Sequence, residues 1–206
     1  PGLHRLVAML AERAGLARAP RLYRVPAPAL NAFAAGSRDN PAIALTDGLL
    51  AGLEPREMAG VLAHELSHVR AHDVWVMTLA AVVARMTSLM SFAGRMLLFI
   101  LIPVWLFTGR GMPLAAIALL LFAPAISSLL QLALSRTREY DADAAAVELT
   151  GDPGGLASAL AKLERQRAGW MQRIFMARAP GWLLTHPSTT ERIRRLMEIE
   201  REHALA

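Results

Sequence analysis

The stretch Met58-Ala59-Gly60-Val61-Leu62-Ala63-His64-Glu65-Leu66-Ser67-His68-Val69-Arg70 decides how the rest of the chain is read. Met58, Val61, Leu62 and Leu66 recur at helical spacing, so the stretch predicts a helix with one apolar face. Residues four apart on a helix lie one turn apart on the same side. His64 and His68 therefore present two imidazoles to one point, an arrangement suited to a single tetrahedral Zn2+. Glu65 stands beside the pair, where a carboxylate takes a proton from water at the metal. The competing reading is a polar helix face with incidental histidines. It leaves two histidines and a glutamate on an otherwise apolar helix without a reason.

Zinc needs a third protein ligand. In one common solution a glycine and a histidine follow the second histidine by three and six residues. Ala71 and Val74 occupy those places, which excludes it. Another solution is a glutamate on a downstream helix, and Arg138-Glu139-Tyr140-Asp141-Ala142-Asp143 supplies one. Glu139 and Asp143 are four apart and share a helix face. Glu139 is the expected ligand, and Asp143 the expected acceptor of an imidazole N–H that fixes the tautomer. The alternative is that these acids only pair with Arg136 and Arg138. His72 is four residues beyond His68, but one metal does not easily reach three successive turns, so a solvated histidine is expected there.

Working outward, the chain of 206 residues is 54% hydrophobic and 19% charged, which excludes a disordered chain. Its net charge of +5 is carried almost wholly by arginine, Lys162 being the sole lysine. With 6% aromatics and no long basic run, nucleic acid is not an expected partner, and an anionic lipid surface fits better. There is no cysteine, so disulfides, thiolate ligands and thiol nucleophiles are excluded. The chain opens on Pro1, and we expect it to be a fragment of a longer protein.

Before the histidine helix, residues 3–14 read as an amphipathic helix. Residues 21–25 and 29–35 read as short strands, 36–41 as a turn, and 42–45 as the return strand of a hairpin. Thr46 is the expected N-cap of a short helix, and Pro55 with Glu57 opens the next. After it, residues 74–109 are apolar apart from Arg85 and Arg95. Residues 112–134 hold no charge over 23 positions, enough to cross ~30 Å of hydrocarbon. Gly109-Arg110-Gly111 separates the two as a turn. The competing reading is two buried helices of a soluble protein. Polar helices over 136–149, 156–166 and 191–203 follow, with a loop at 185–189.

Four segments in this order resemble the HtpX-like and CAAX prenyl protease family of zinc metallopeptidases, and HtpX-like membrane peptidases in particular. They are Asn31-Ala32-Phe33-Ala34-Ala35-Gly36, His64 to Val69, Ser135 to Asp143, and His186-Pro187-Ser188-Thr189-Thr190-Glu191-Arg192-Ile193. The resemblance implies an endopeptidase of membrane-protein quality control, with His64, His68 and Glu139 on zinc and Glu65 as base. It implies that the edge strand Asn31, Ala32, Phe33, Ala34 and Ala35 pairs with extended substrate. It implies that His186 stabilises the oxyanion or caps the resting metal, and that Arg192 ties down the segment carrying it.

The expected fold is mainly α, with a zincin-type active-site helix, a small β-hairpin or sheet and an inserted transmembrane helical hairpin. Residues 1–73 and 135–206 form the two parts of the catalytic domain, and 74–134 the hairpin. His68 and Glu139 must meet, so the chain between them crosses a bilayer an even number of times. Arg70, Arg136 and Arg138 flank the site against Arg110 alone in the far loop. By the positive-inside rule the site of a multi-pass protein of the cell's inner membrane then faces the cytoplasm. The expected function is a membrane zinc endopeptidase acting on proteins or peptides. A prenyl-protein protease and a non-catalytic metal-binding scaffold or chaperone are the alternatives.

Overall fold

The computed structural model describes residues 2–37, 39–108, 114–174 and 189–205. Its elements are α1 (Gly2–Arg13), β1 (Arg21–Val25), β2 (Ala32–Ser37), β3 (Asn40–Thr46), α2 (Asp47–Gly52), α3 (Pro55–Arg70), α4 (Asp73–Thr108), α5 (Leu114–Thr150), α6 (Pro153–Ile174) and α7 (Thr189–Leu205). The chain divides into two compact units. One comprises residues 1–74 with 136–206, the other residues 75–135.

In the first unit the strands form one sheet in the order β1-β3-β2. β2 and β3 are the expected antiparallel hairpin, while β1 adds to the far side of β3 in parallel. β3 is therefore central, and its Ile43 and Leu45 are buried where the outer strands stay partly open. β2 sits later than the periodicity suggests, and β3 begins earlier, at Asn40. Gly36 and Ser37 extend β2 into the expected turn, with Gly36 at a left-handed φ of 86°. Its start shifts as well, because residues 29–31 fold around a side chain. The buried Thr46 hydroxyl accepts from Asn31 N–H (3.0 Å) and Leu49 N–H (3.3 Å), and also meets the Ala29 and Asn31 carbonyl oxygens. Thr46 thus caps α2 as expected and pins the entry to β2 as well.

α3 opens on Pro55 with a capping box, in which the Glu57 carboxylate accepts from Glu54 N–H at 2.8 Å. Its apolar face (Met58, Val61, Leu62, Leu66) joins one core with Val7 and Leu10 of α1, Ile43 and Leu45 of β3, Leu156 and Leu160 of α6, and Leu196 of α7. Gly60 lets α3 and α6 approach closely. A Cβ there would lie 2.9 Å from the Leu156 Cα. α5 contributes Ala146, Val147 and Leu149 to the same core. The polar segment expected as a separate helix over 136–149 is thus the continuation of α5, and that expected over 156–166 is part of the longer α6.

The second unit consists of apolar stretches of α4 and α5, with Gly94 packed against the Leu120 side chain. Both helices are long and apolar enough to cross a membrane, and their side chains are almost entirely exposed. Phe99, Ile100, Leu106 and Phe107 of α4 and Leu119, Phe122, Leu129 and Leu130 of α5 face outward. Buried core helices of a soluble protein would have covered such surface. The expected turn at 109–111 lies outside the described residues.

One buried charge fastens α3 to α6. Glu57 accepts from Lys162 Nζ and from Ser158 Oγ, both at 2.6 Å. Burial acts to raise its pKa, but these donors and Glu54 N–H outweigh it and hold the carboxyl below the usual range. A depressed folded pKa contributes stability above the unfolded value, which is lost as pH falls through the folded value. Lys162→Met leaves Glu57 buried without its cation and should cost about 2 kcal/mol, discounted because Lys162 is partly exposed. Thermal unfolding of the variant should show that loss at pH 7 and a smaller difference from wild type below about pH 4.

Candidate metal centre

His64 and His68 point from the same side of α3, as their spacing requires, with their Nε2 atoms 3.2 Å apart. Each ring spends its other nitrogen on a carboxylate. His64 Nδ1 lies 3.0 Å from Asp143 Oδ1, and His68 Nδ1 lies 2.8 Å from Asp73 Oδ2. With both Nδ1 atoms set against carboxylates, the two Nε2 atoms face each other across a gap that a proton or a metal ion can occupy. Glu139 Oε2, from α5, stands 3.5 Å from His64 Nε2, and the three groups converge within 4.8 Å of one another. Ligands about 2.05 Å from a common tetrahedral centre are separated by ~3.3 Å, so the two measured separations fit a bound metal.

Glu139 and Asp143 are presented together because they are one turn apart on α5. Arg192 of α7 braces both, with Nη1 2.7 Å from Glu139 Oε2 and Nη2 2.6 Å from Asp143 Oδ1. Its Nε adds a bond of 2.7 Å to Asp143 Oδ2. The alternative pairing of these acids with Arg136 and Arg138 is not what the fold makes. Arg138 instead faces Asp73, at 3.1 Å. His72 is exposed, with a φ of 56°, at the turn between α3 and α4, and it is absent from the converging group.

Glu65 is directed at the sheet. Its Oε2 accepts from Ala34 N–H of β2 at 2.8 Å. β2 is an edge strand, and the exchange between Asn31 and Thr46 fixes which of its groups face outward. Opposite Ile43, Ala34 turns its N–H and C=O away from β3, as does Ala32. Of the segment Asn31 to Ala35, the backbone groups left open to a partner are therefore those of Ala32 and the carbonyl of Ala34. Burial raises the Glu65 pKa, partly offset by the neighbouring imidazoles and Ala34 N–H. His186 lies outside the described residues. Arg192, expected with Asp143 just behind the ligands, bonds to both Glu139 and Asp143. Asp73 was not anticipated. Its only trace in sequence is an acid five residues after His68.

A model of peptidase family M48 matches residues 1–200. A protein named Protease HtpX homolog from Acaryochloris marina is 39% identical over 98% of this chain and 73% of its own. Another of that name, from Burkholderia multivorans, is 40% identical over 98% of this chain and 75% of its own. Among solved structures, the crystal structure of S. mikatae Ste24p superimposes with a TM-score of 0.58 at 23% identity. It covers 94% of this chain, which spans about half (49%) of that one, and the likeness is one of fold.

Burial acts to lower the His64 pKa, but hydrogen bonds to Asp143 and Glu139 outweigh it and push it up to about 9. A metal ion competes with that proton, since only the neutral ring is a ligand. Apparent affinity for a divalent transition metal should fall by about tenfold per pH unit between pH 9 and pH 7, with a proton released on loading. Chelator competition across that range measures it. A flat profile would place the metal elsewhere.

Proposed function

The chain belongs to peptidase family M48, and we propose that it is a membrane-embedded, zinc-dependent endopeptidase. The observation that carries this reading is the convergence of the His64 and His68 Nε2 atoms, 3.2 Å apart, beside Glu139, with Glu65 next to them. Two nitrogens and one carboxylate oxygen suit zinc and leave a position open for chemistry. His64, His68 and Glu139 would hold the ion. When bound, it supplies Lewis-acid polarisation of the scissile carbonyl and acidifies the attacking water.

The remaining work falls to this chain's side chains. Glu65 takes the proton of the attacking water and passes it to the leaving amine. Its burial favours that role by making the carboxylate more basic than a solvated one. Asp143 keeps His64 in the Nε2-ligand tautomer. Arg192 balances the negative charge of Glu139 and Asp143 and holds both in place. Extended substrate pairs with the open edge of β2 through Ala32 and the Ala34 carbonyl, because Glu65 already holds the Ala34 N–H. That register brings a peptide bond beside the base. His186 is proposed as the oxyanion donor.

Substrates are proteins or peptides at the bilayer, and quality control of membrane proteins is the proposed role. Residues 74–134 are the proposed transmembrane hairpin of a multi-pass inner-membrane protein, and the flanking parts its catalytic domain at the cytoplasmic face. The alternatives have less support. Among the described residues nothing marks a prenylated substrate, and a non-catalytic scaffold gives Glu65 no purpose.

Two experiments test this reading. Glu65→Gln keeps the shape of the side chain and should retain about one zinc per chain while losing ~10²-fold or more of casein cleavage. Turnover near wild type would move the chemistry to another residue. Because the chain lacks cysteine, single cysteines report topology cleanly. Those replacing Arg70 and Arg138 should label from the cytoplasmic side, and one replacing Arg110 from the opposite side. Labelling of all three from one side would refute a spanning hairpin.

A further inference from the structure

Asp73 reaches His68 only because α3 ends where it does. On a continuous helix, a residue five positions on lies ~140° round the axis and cannot touch. α3 stops at Arg70, and Ala71 closes it by donating its N–H to Ser67 O at 2.9 Å. His72 then takes a left-handed φ of 56°, a conformation usually left to glycine at a helix C-terminus. The turn swings the first residue of α4 back onto the last turn of α3. There Asp73 is buried, with Oδ2 2.8 Å from His68 Nδ1. Its Oδ1 is sealed from solvent without an aligned hydrogen-bond donor, and the cation facing it is Arg138 Nη1 at 3.1 Å. Arg138 immediately precedes the ligand Glu139. Asp73 lies two residues before the apolar unit begins at Trp75, and Arg138 three residues after it ends at Ser135.

We infer that Asp73 is a positioning residue for the ligand His68, and that the Asp73–Arg138 pair makes metal affinity depend on how the two ends of the apolar insertion are held together. The inference rests on the metal-site reading above. The Nδ1–H···carboxylate bond keeps the His68 Nε2 lone pair free and its ring oriented, as Asp143 does for His64. Arg138 touches neither imidazole. It fixes Asp73 through charge and so links the return of the chain on α5 to a ligand on α3. A separation of the insertion's ends would release Asp73 and weaken the hold on metal, and metal in turn would favour the closed ends.

The test uses the full chain in detergent and reads zinc affinity by chelator competition, with the absorption spectrum of the Co2+-loaded protein as a report on ligand geometry. Asp73→Ser keeps a residue able to cap α4 but too short to reach His68. It should bind zinc about 10- to 100-fold more weakly and alter the Co2+ spectrum. Asp73→Asn, nearly isosteric, guards against a folding defect and should lose less, because its carbonyl still accepts the N–H. Arg138→Gln should weaken zinc by about 3- to 10-fold, while Arg136→Gln, an exposed neighbour, should not. Zinc affinity within twofold of wild type and an unchanged spectrum in Asp73→Ser and Asp73→Asn would reduce Asp73 to a helix cap and overturn the proposal. Equal effects of Arg138→Gln and Arg136→Gln would overturn its second half. If His68→Ala binds zinc as wild type does, the metal-site reading itself fails, and that result is distinct from either.

Discussion

Two imidazole nitrogens held 3.2 Å apart form the constraint on which the site depends. It exists because each ring's far nitrogen is committed to a buried carboxylate, Asp143 for His64 and Asp73 for His68. Those carboxylates in turn face Arg192 and Arg138. Two carboxylate–arginine pairs stacked behind two histidines are a costly use of buried charge, and they fix the orientation of both rings.

The elements that supply these groups come from distant parts of the chain. α3 gives the two histidines and Glu65, α5 gives Glu139 and Asp143, α7 the arginine, and the α3–α4 turn Asp73. What aligns them is the apolar core beneath, where Leu62 and Leu66 of α3 meet Leu156 of α6 and Leu196 of α7. Gly60 sets the closeness of α3 to α6, and the Glu57–Lys162 pair fixes their register. The sheet adds a different element to the same helix. Because β3 is central, β2 is left as an edge, and the outward N–H of Ala34 falls to Glu65. Glu65 is thereby attached to the open edge of β2.

Residues 75–135 interrupt this unit in sequence, and among the described residues none of them joins the converging group of His64, His68 and Glu139. Their outward apolar surface belongs in hydrocarbon, where every backbone group must be satisfied within the helix. α4 and α5 run unbroken through Pro103 and Pro124, respectively. The sequence treats the insertion as a separate segment between two polar parts. In the structure α4 begins on Asp73, which meets His68, and the later part of α5 carries Glu139 into the converging group.

The sequence by itself determined whatever depends on short range. Helical spacing puts His64, Glu65 and His68 on one turn and pairs Glu139 with Asp143. Thr46 and Pro55 mark helix starts, and the charge-free run of 112–134 marks a candidate span. Each follows from fixed periods of 3.6 residues or from local capping, which a sequence displays directly. Only the tertiary structure decided the rest. The parallel addition of β1 and the resulting exposure of β2 depend on which strand the core buries. Arg192 finds Glu139 across more than fifty residues, a distance no local pattern encodes. Asp73 meets His68 through a left-handed turn at a histidine, where sequence gives no glycine to announce it. Local periodicity placed the ligands, and the packing of separate elements chose what orients them.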